Sequence, residues 1–466
     1  MSTGTSETVI QRFGSRIADG VEQWMPSPFL FAIILTYVVF VAGVVVEGAS
    51  PVAMAQYWQD GFWVLLTFAM QMVLILVTGY ALAYHPWVQG FIAWLTGLPN
   101  DGKQAVVLVG AISMVVAWVH WGLGLIVGAV MAREMGRQAK ERGLSVHYPL
   151  LCVAGYMGMG LTWHWGLAAS APLLMNTPGN VFIEQGIVEG LISTSQTIFH
   201  PYTLALVVSS IVYASVVLYL LAPPSEQSDS ITEYVPQSQL SSASADGGVD
   251  SGEPDAETVG DRIDNSRIVG GVIALTGVAL SVWTFAQQGL GALNLNVVNF
   301  LFVFLGLALF TRPAAYQEAF SDAIPATSGI ILQFPFYAGI IGMMNASGLS
   351  ETFAEALVSL STPATFPVVA WVTAGVVNIF VPSGGGEWTV IGTTILAAAN
   401  ELGVPAGQAT IAYAVGDAHT NLFQPFWALP LLGITGIRAR EMFGYAVTML
   451  ILLIPFLAVA LTVIPY

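Results

Sequence analysis

FVPSGGGEWTVIG, residues 380–392, interrupts a chain that is otherwise of membrane-grade hydrophobicity. Three consecutive glycines (Gly384, Gly385, Gly386) do not sustain a helix, and Pro382 removes a backbone donor just ahead of them. At bilayer depth, broken backbone is tolerated only where protein buries it or where it lines a watered cavity. The reading is therefore apolar helix in, apolar helix out, and free N–H groups between them. Secondary transporters build substrate sites from such parts.

Outside this stretch, composition sets the class. Of 466 residues 55% are hydrophobic and 9% charged, and the mean hydropathy is +0.73. That balance excludes a soluble globular domain and predicts an all-α polytopic membrane protein with the lipid bilayer as solvent. Cys152 is the single cysteine, so no internal disulfide or cysteine-rich metal site is expected. It reads as a small core hydrophobe. The first twenty residues, with Glu7, Arg12, Arg16 and Asp19, read as an interfacial lead-in rather than a cleaved signal. Residues 223–266 hold ten acids against one base and carry −9 of the formal net charge of −16. Rich in Ser, Gly and Pro and without apolar period, they read as a disordered linker between membrane halves at 1–222 and 267–466.

Both halves carry the same order of parts. Candidate elements at 28–46, 62–83, 105–131, 149–175 and 202–222 precede the linker. Those at 268–285, 297–310, 329–344, 367–381, 389–399, 409–432 and 443–464 follow it. Several are too long or too short for a plain span of about 20 residues. The first half has a polar break, WVHWGLGL (118–125), and then an interrupted helix, YMGMGLTWHWGLAASAPL (156–173). The second half has the Gly384–Gly386 break and then YAVGDAHTNLFQPFWALPLL (413–432), offset by about 260 residues in both cases. Duplicated broken elements point to a midplane binding site. Arg133, Arg137, Lys140 and Arg142 follow the first break. A re-entrant hairpin over 105–131 keeps them on the cytoplasmic side with Arg12 and Arg16.

All twelve Lys and Arg residues fall outside the apolar cores. An anionic substrate must then be met by half-helix N-termini and by hydroxyl and amide donors. The candidates are Trp121, Gly122, Gly124, Ser383, Gly384, Gly385, Gly386, Thr389, Asn421 and Gln424. Glycine in membrane helices also serves as a close-packing contact. An ionisable group at depth usually has a partner or a task. Asp417, Glu387, His120, His164 and His419 stand at the breaks and are candidates for the coupling ion, H⁺ or Na⁺, with Asn176 and Thr177 as further oxygen donors. Plain alternatives remain: Asp417 as a helix cap beside Gly416, Glu387 facing solvent at the hairpin tip, and each His as a satisfied buried residue. Tryptophans and phenylalanines beside the breaks suit the alkyl tail of a substrate. No spacing argues for a transition metal, and no cofactor or nucleic-acid partner is expected.

With these motifs the chain resembles the short-chain fatty acid transporter family. The likeness rests on WVHWGLGLIVGAVMARE (118–134), WHWGLAASAPL (163–173), MNTPGN (175–180), FPFYAGIIGMM (334–344), FVPSGGGEWTVIG, and GDAHTNLFQPFWALPLLGITG (416–436). It implies uptake of acetoacetate- or butyrate-like monocarboxylates through the cell membrane; the coupling ion read from the ionisable residues at the breaks is H⁺ or Na⁺, the latter at Asp417. It also implies two inverted repeats, each with a re-entrant hairpin and an unwound helix, and a homodimer as a common assembly. The family pattern has Gln where this chain has Glu387, Asn for His120, Gly for Trp165 and Trp for His419. Rivals on the sequence are a di- or tricarboxylate carrier or cation/proton antiporter of the same fold, a channel, and an intramembrane hydrolase using Ser383.

Overall fold

The computed structural model describes residues 28–236, 240, 258–379, 381–424 and 426–466. The N-terminal lead-in, most of the acidic linker, Phe380 and Pro425 lie outside these. Every regular element among the described residues is helical. The first half runs α1 (Pro28–Val45), α2 (Pro51–Gly61), α3 (Leu66–Ala83), α4 (Pro86–Thr96), α5 (Gly102–Val119), α6 (Trp121–Glu141), α7 (Tyr148–Met157), α8 (Ser170–Met175), α9 (Val181–Glu184) and α10 (Pro201–Leu221). After the linker come α11 (Val259–Asp264), α12 (Arg267–Gln288), α13 (Leu295–Phe310), α14 (Pro313–Ala323), α15 (Ser328–Ser347) and α16 (Leu349–Ser359). The second half then closes with α17 (Phe366–Asn378), α18 (Gly384–Glu401), α19 (Ala406–Thr420), α20 (Leu429–Thr435) and α21 (Ala439–Val463).

Among the described residues six helical stretches are long and apolar enough to cross a membrane. Their apolar side chains do not all turn inward: Leu66, Met70, Leu220, Ile268, Leu275 and Val463 are exposed. Water penalises such a surface and lipid does not. The chain is an all-α polytopic membrane protein.

The expected breaks are present. Helices α5 and α6 pack as an antiparallel pair, their free ends tied by Arg142 Nη2 donating to Pro99 O at 2.7 Å. One residue, His120, separates them in extended conformation (φ −157°, ψ 110°). In the second half α17 and α18 are separated by 379–383, with Ser383 extended (φ −155°, ψ 97°). Helix α7 passes into a π-turn, Gly158–Thr162, and a 3₁₀ turn, Trp163–Trp165, before α8 restarts at Ser170. Helix α19 stops at Thr420 and restarts at Leu429 as α20.

Elsewhere the sequence reading needs correcting. The supposed disordered linker is folded at both ends. Ile231 and Val235 are buried, Tyr148 N–H donates to Asp229 O at 2.8 Å, and Val259–Asp264 is helical behind a Thr258 cap. Its average composition hid a few anchoring apolar residues. The short helices α2, α4, α14 and α16 also escaped notice, being too short and too polar to read as spans.

Candidate functional site

Each hairpin tip is built by a residue that caps the next helix. Leu123 N–H donates to His120 Nδ1 at 3.2 Å, and Gly386 N–H donates to Ser383 Oγ at 3.3 Å. Each cap satisfies one of the donors that a helix start leaves free. The N–H groups of Gly384 and Gly385, first and second in α18, have no hydrogen-bond partner among the described residues.

These two glycines form one wall of a cavity with Ser383, Ser170, Met72, Trp121, Met159, Trp163, Ile330, Phe334 and Trp427. The room inside is about 20 Å³, space for about one water. A side chain would close it. A Cβ on Gly385 would stand 2.5 Å from Phe68 Cζ, and one on Gly384 would stand 2.7 Å from His164 Cε1. Trp121 meets Trp163 and Trp427 edge-on, with ring centroids 5.9 and 5.6 Å apart. The indole N–H groups of all three are buried without an acceptor. The cavity is thus an aromatic box with donors and hydroxyls at one end. It contains no Lys or Arg.

Behind the Gly384 wall lies a buried ionisable cluster. His164 Nδ1 is 2.5 Å from Asp417 Oδ2. Its Nε2 receives the Ala171 N–H at 3.2 Å and lies 2.8 Å from Ser170 Oγ. A backbone N–H can only donate, so Nε2 is an acceptor and the ring proton sits on Nδ1, directed at Asp417. Trp163 stacks on the imidazole at 4.2 Å. Glu387 is fully buried, its carboxyl beside that of Asp417. Both Glu387 oxygens and Asp417 Oδ1 lack any N–H or hydroxyl donor. Tyr413 donates to Gly384 O at 2.6 Å and so ties the cluster to the tip.

The sequence candidates divide accordingly. Trp121, Ser383, Gly384 and Gly385 line the cavity, while Asp417, His164 and Glu387 form the cluster. Glu387 does not face solvent. Gly386 and Thr389 only support the tip, Gly386 packing on Tyr337 and Thr389 Oγ1 donating to Gly386 O at 2.7 Å. Gly122 lies against the α3 backbone, 3.0 Å from Ile75 O for an added Cβ, and Gly124 against Ala117. Both are packing glycines. Asn421 and Gln424 serve the broken helices: Asn421 Nδ2 donates to Met159 O at 3.1 Å, and Gln424 Nε2 to Asn378 O at 3.1 Å. His419 does not join Asp417. Its Nε2 is 3.0 Å from Leu450 O on α21, because two residues along a helix is about 200° around it. His120 stands at the other tip, against Phe302. Asn176 and Thr177 tie the end of α8 to the chain before α13, through Gly291 O, Leu293 O and Leu295 N. Sequence reasoning missed Ser170 as the partner of His164, and Trp163 and Trp427 as named walls. Their signal was only the enrichment of Trp and Ser beside the breaks.

A polytopic helical protein with paired broken helices around a central cavity has the architecture of a membrane transporter. A crystal structure titled for the YdaH transporter of Alcanivorax borkumensis, with "an unusual topology", shares the fold at a TM-score of 0.55. It is 16% identical, with 93% of this chain and 98% of that one covered. The family model for short chain fatty acid transporters matches residues 9–464, and this chain belongs to that family. A protein of Escherichia coli (strain K12) named "Putative short-chain fatty acid transporter" is 37% identical over 95% of this chain and 96% of its own. One of the same name from Haemophilus influenzae is 34% identical over 97% and 99%.

Proposed function

We propose that the chain is a secondary active transporter of short-chain monocarboxylates of the butyrate and acetoacetate type, working by alternating access with a coupling cation in the cytoplasmic membrane. The cavity between the two hairpin tips carries the reading. Its donors suit one carboxylate, met by the Gly384 and Gly385 N–H groups, the Ser383 hydroxyl and the indole N–H groups at an N-terminal helix end. Its walls suit an alkyl tail of a few carbons. Absence of Lys and Arg from the lining disfavours a second or third substrate carboxylate.

At about 20 Å³ the cavity is too small for a four-carbon acid, so entry requires the walls to part, as alternating access demands. The matched order of hairpin and broken helix in each half supports two repeats inverted in the membrane. The apolar run from Trp121 to Arg133 is about 18 Å of helix, against a hydrocarbon core of about 30 Å. A tip ending inside the bilayer is consistent with that length, and the charged residues at both ends of the α5–α6 pair favour a re-entrant hairpin.

The test is counterflow. Purified protein in liposomes preloaded with unlabelled butyrate is expected to take up labelled butyrate transiently and saturably, above protein-free vesicles. Unlabelled butyrate and acetoacetate are expected to compete, and succinate and citrate not. Competition by succinate or citrate alone would replace the monocarboxylate reading.

A further inference from the structure

We propose that Glu387 and Asp417 share one proton at rest and that a second proton, relayed from the substrate cavity through Ser170 and His164 to Asp417, is the coupling ion. The inference rests on the transport reading for its cargo but not for its chemistry. Two fully buried carboxyls stand side by side, and three of their four oxygens have no N–H or hydroxyl donor. The fourth, Asp417 Oδ2, takes the His164 Nδ1 proton. His164 supplies no positive charge, because the Ala171 N–H occupies Nε2. Among the described residues no Lys or Arg reaches the cluster. Two adjacent buried carboxylates without a base cannot both be ionised unless a cation joins them.

The surroundings favour a proton. The other titratable groups facing Glu387 are phenols, Tyr413 on α19 and Tyr337 on α15. Among the described residues α8, α16 and α17, which also adjoin α18, direct no charged group at it. Asp417 faces His164, Tyr413 and Glu387. The Tyr413 hydroxyl is committed to Gly384 O. A hard cation takes several oxygen ligands in a shell, whereas a proton is held by two oxygens. Rings and a single pair of carboxyls match the second requirement.

The cluster is also wired to the cavity. Ser170 lines it and lies 2.8 Å from His164 Nε2. In loading, a donor in the cavity gives a proton to Ser170 Oγ while the Ser170 hydroxyl proton passes to His164 Nε2. The Nδ1 proton then passes to Asp417 Oδ2, and the carboxyl pair goes from one proton to two. Serine ends unchanged and imidazole ends in the Nε2–H tautomer. That tautomer faces the Ala171 N–H and is disfavoured, so the same path run backwards unloads the proton and restores the ring. Because the path opens only on the cavity, the side to which the cavity opens decides where the proton enters and leaves. The doubly protonated pair is neutral and lets a carboxylate occupy the cavity a few ångströms away with less repulsion than the singly protonated pair.

The full-length protein in liposomes tests this in two independent ways. Infrared spectroscopy at neutral pH without substrate is expected to show the carbonyl stretch of a protonated carboxyl, lost in Glu387→Gln. Absence of the band from the wild type overturns the shared proton. Labelled butyrate accumulation is then followed under a pH gradient, with protein-free vesicles as blank for passive entry of the acid. Asn at 417 cannot take the relayed proton, so in Asp417→Asn accumulation is expected to fall at least about tenfold further than butyrate exchange does. Ser170→Ala is expected to keep the band and slow pH-driven uptake by about tenfold. Persistent pH-driven accumulation in Asp417→Asn, or wild-type accumulation driven by a Na⁺ gradient at equal pH, overturns proton coupling. A wild type with the band but no butyrate exchange removes the cargo reading and leaves the proton pair standing.

Discussion

The two hairpin tips share a backbone and divide the chemistry. His120 and Ser383 adopt nearly the same extended conformation (φ −157° and −155°) and cap the third N–H of the following helix at nearly equal distances. Beyond the cap they diverge. Tip 1 continues Trp-Gly-Leu-Gly and is pressed into α3, where an added Cβ on Gly79 would stand 2.6 Å from Gly122 C and 2.7 Å from His120 Cε1. Tip 2 continues Gly-Gly-Gly-Glu, leaves two N–H groups free beside the cavity and buries a carboxyl behind them. One tip is a fixed wall with an indole on it, and the other is a donor site. A matched pair of backbones therefore does not imply a matched pair of sites.

The sharpest way to break the comparison is to add a side chain to each tip. Valine at 385 would collide with the Phe68 ring and approach Ser170. Gly385→Val is expected to reduce butyrate counterflow below detection while the protein remains in the membrane at wild-type level. Valine at 122 would meet backbone atoms of α3, Ile75 O and Leu76 Cα at 3.0 and 3.2 Å, which cannot swing aside. Gly122→Val is expected to destabilise by about 1–3 kcal/mol, seen as a lowered melting temperature, with the affinity of the surviving folded protein little changed. Wild-type uptake by Gly385→Val would remove tip 2 from the substrate path.

A milder contrast removes each cap. Loss of a capping side chain costs about 1 kcal/mol of stability, so Ser383→Ala and His120→Ala should lower thermal stability alike. Ser383 also lines the cavity, and Ser383→Ala is expected to raise the half-saturating butyrate concentration about tenfold, the worth of one good hydrogen bond. His120→Ala should leave that concentration within about twofold. An equal rise in both would mean that the tips act on substrate as a symmetric pair.

How much of this was legible in the sequence depends on what kind of signal each part leaves. Broken helices announce themselves, since glycine, proline and ionisable groups inside apolar runs are costly unless a break or a site requires them. Both hairpins, both interrupted helices and the choice of His164, Glu387 and Asp417 as candidates followed from that. Which histidine meets Asp417 did not. His419 is two residues away in sequence but on another side of α19, while His164 arrives from the other half of the chain, 253 residues away. Ser170 reaches His164 from the far side of the 3₁₀ turn's end and the irregular segment 166–169, for which no helical period exists. Gly122 and Gly384 looked alike as glycines at tips, and only the lining of the cavity separates a packing contact from a cavity wall.

The smallest expected effect tests what tip 1 contributes across the cavity. Trp121 and Gly384 hold the same place, directly after the cap, in their respective helices. Where tip 2 offers a backbone N–H, tip 1 offers an indole N–H, buried and without an acceptor. Left so, such a donor costs the folded protein free energy unless a ligand satisfies it. Trp121→Phe keeps an aromatic ring against Trp163 and Trp427 and removes the N–H. If that N–H is completed by the substrate carboxylate, the half-saturating butyrate concentration should rise about threefold. The protein without substrate should be as stable as the wild type or slightly more so, having lost an unsatisfied donor. Unchanged affinity with raised stability would assign Trp121 to the wall alone, and the whole carboxylate would then fall to tip 2.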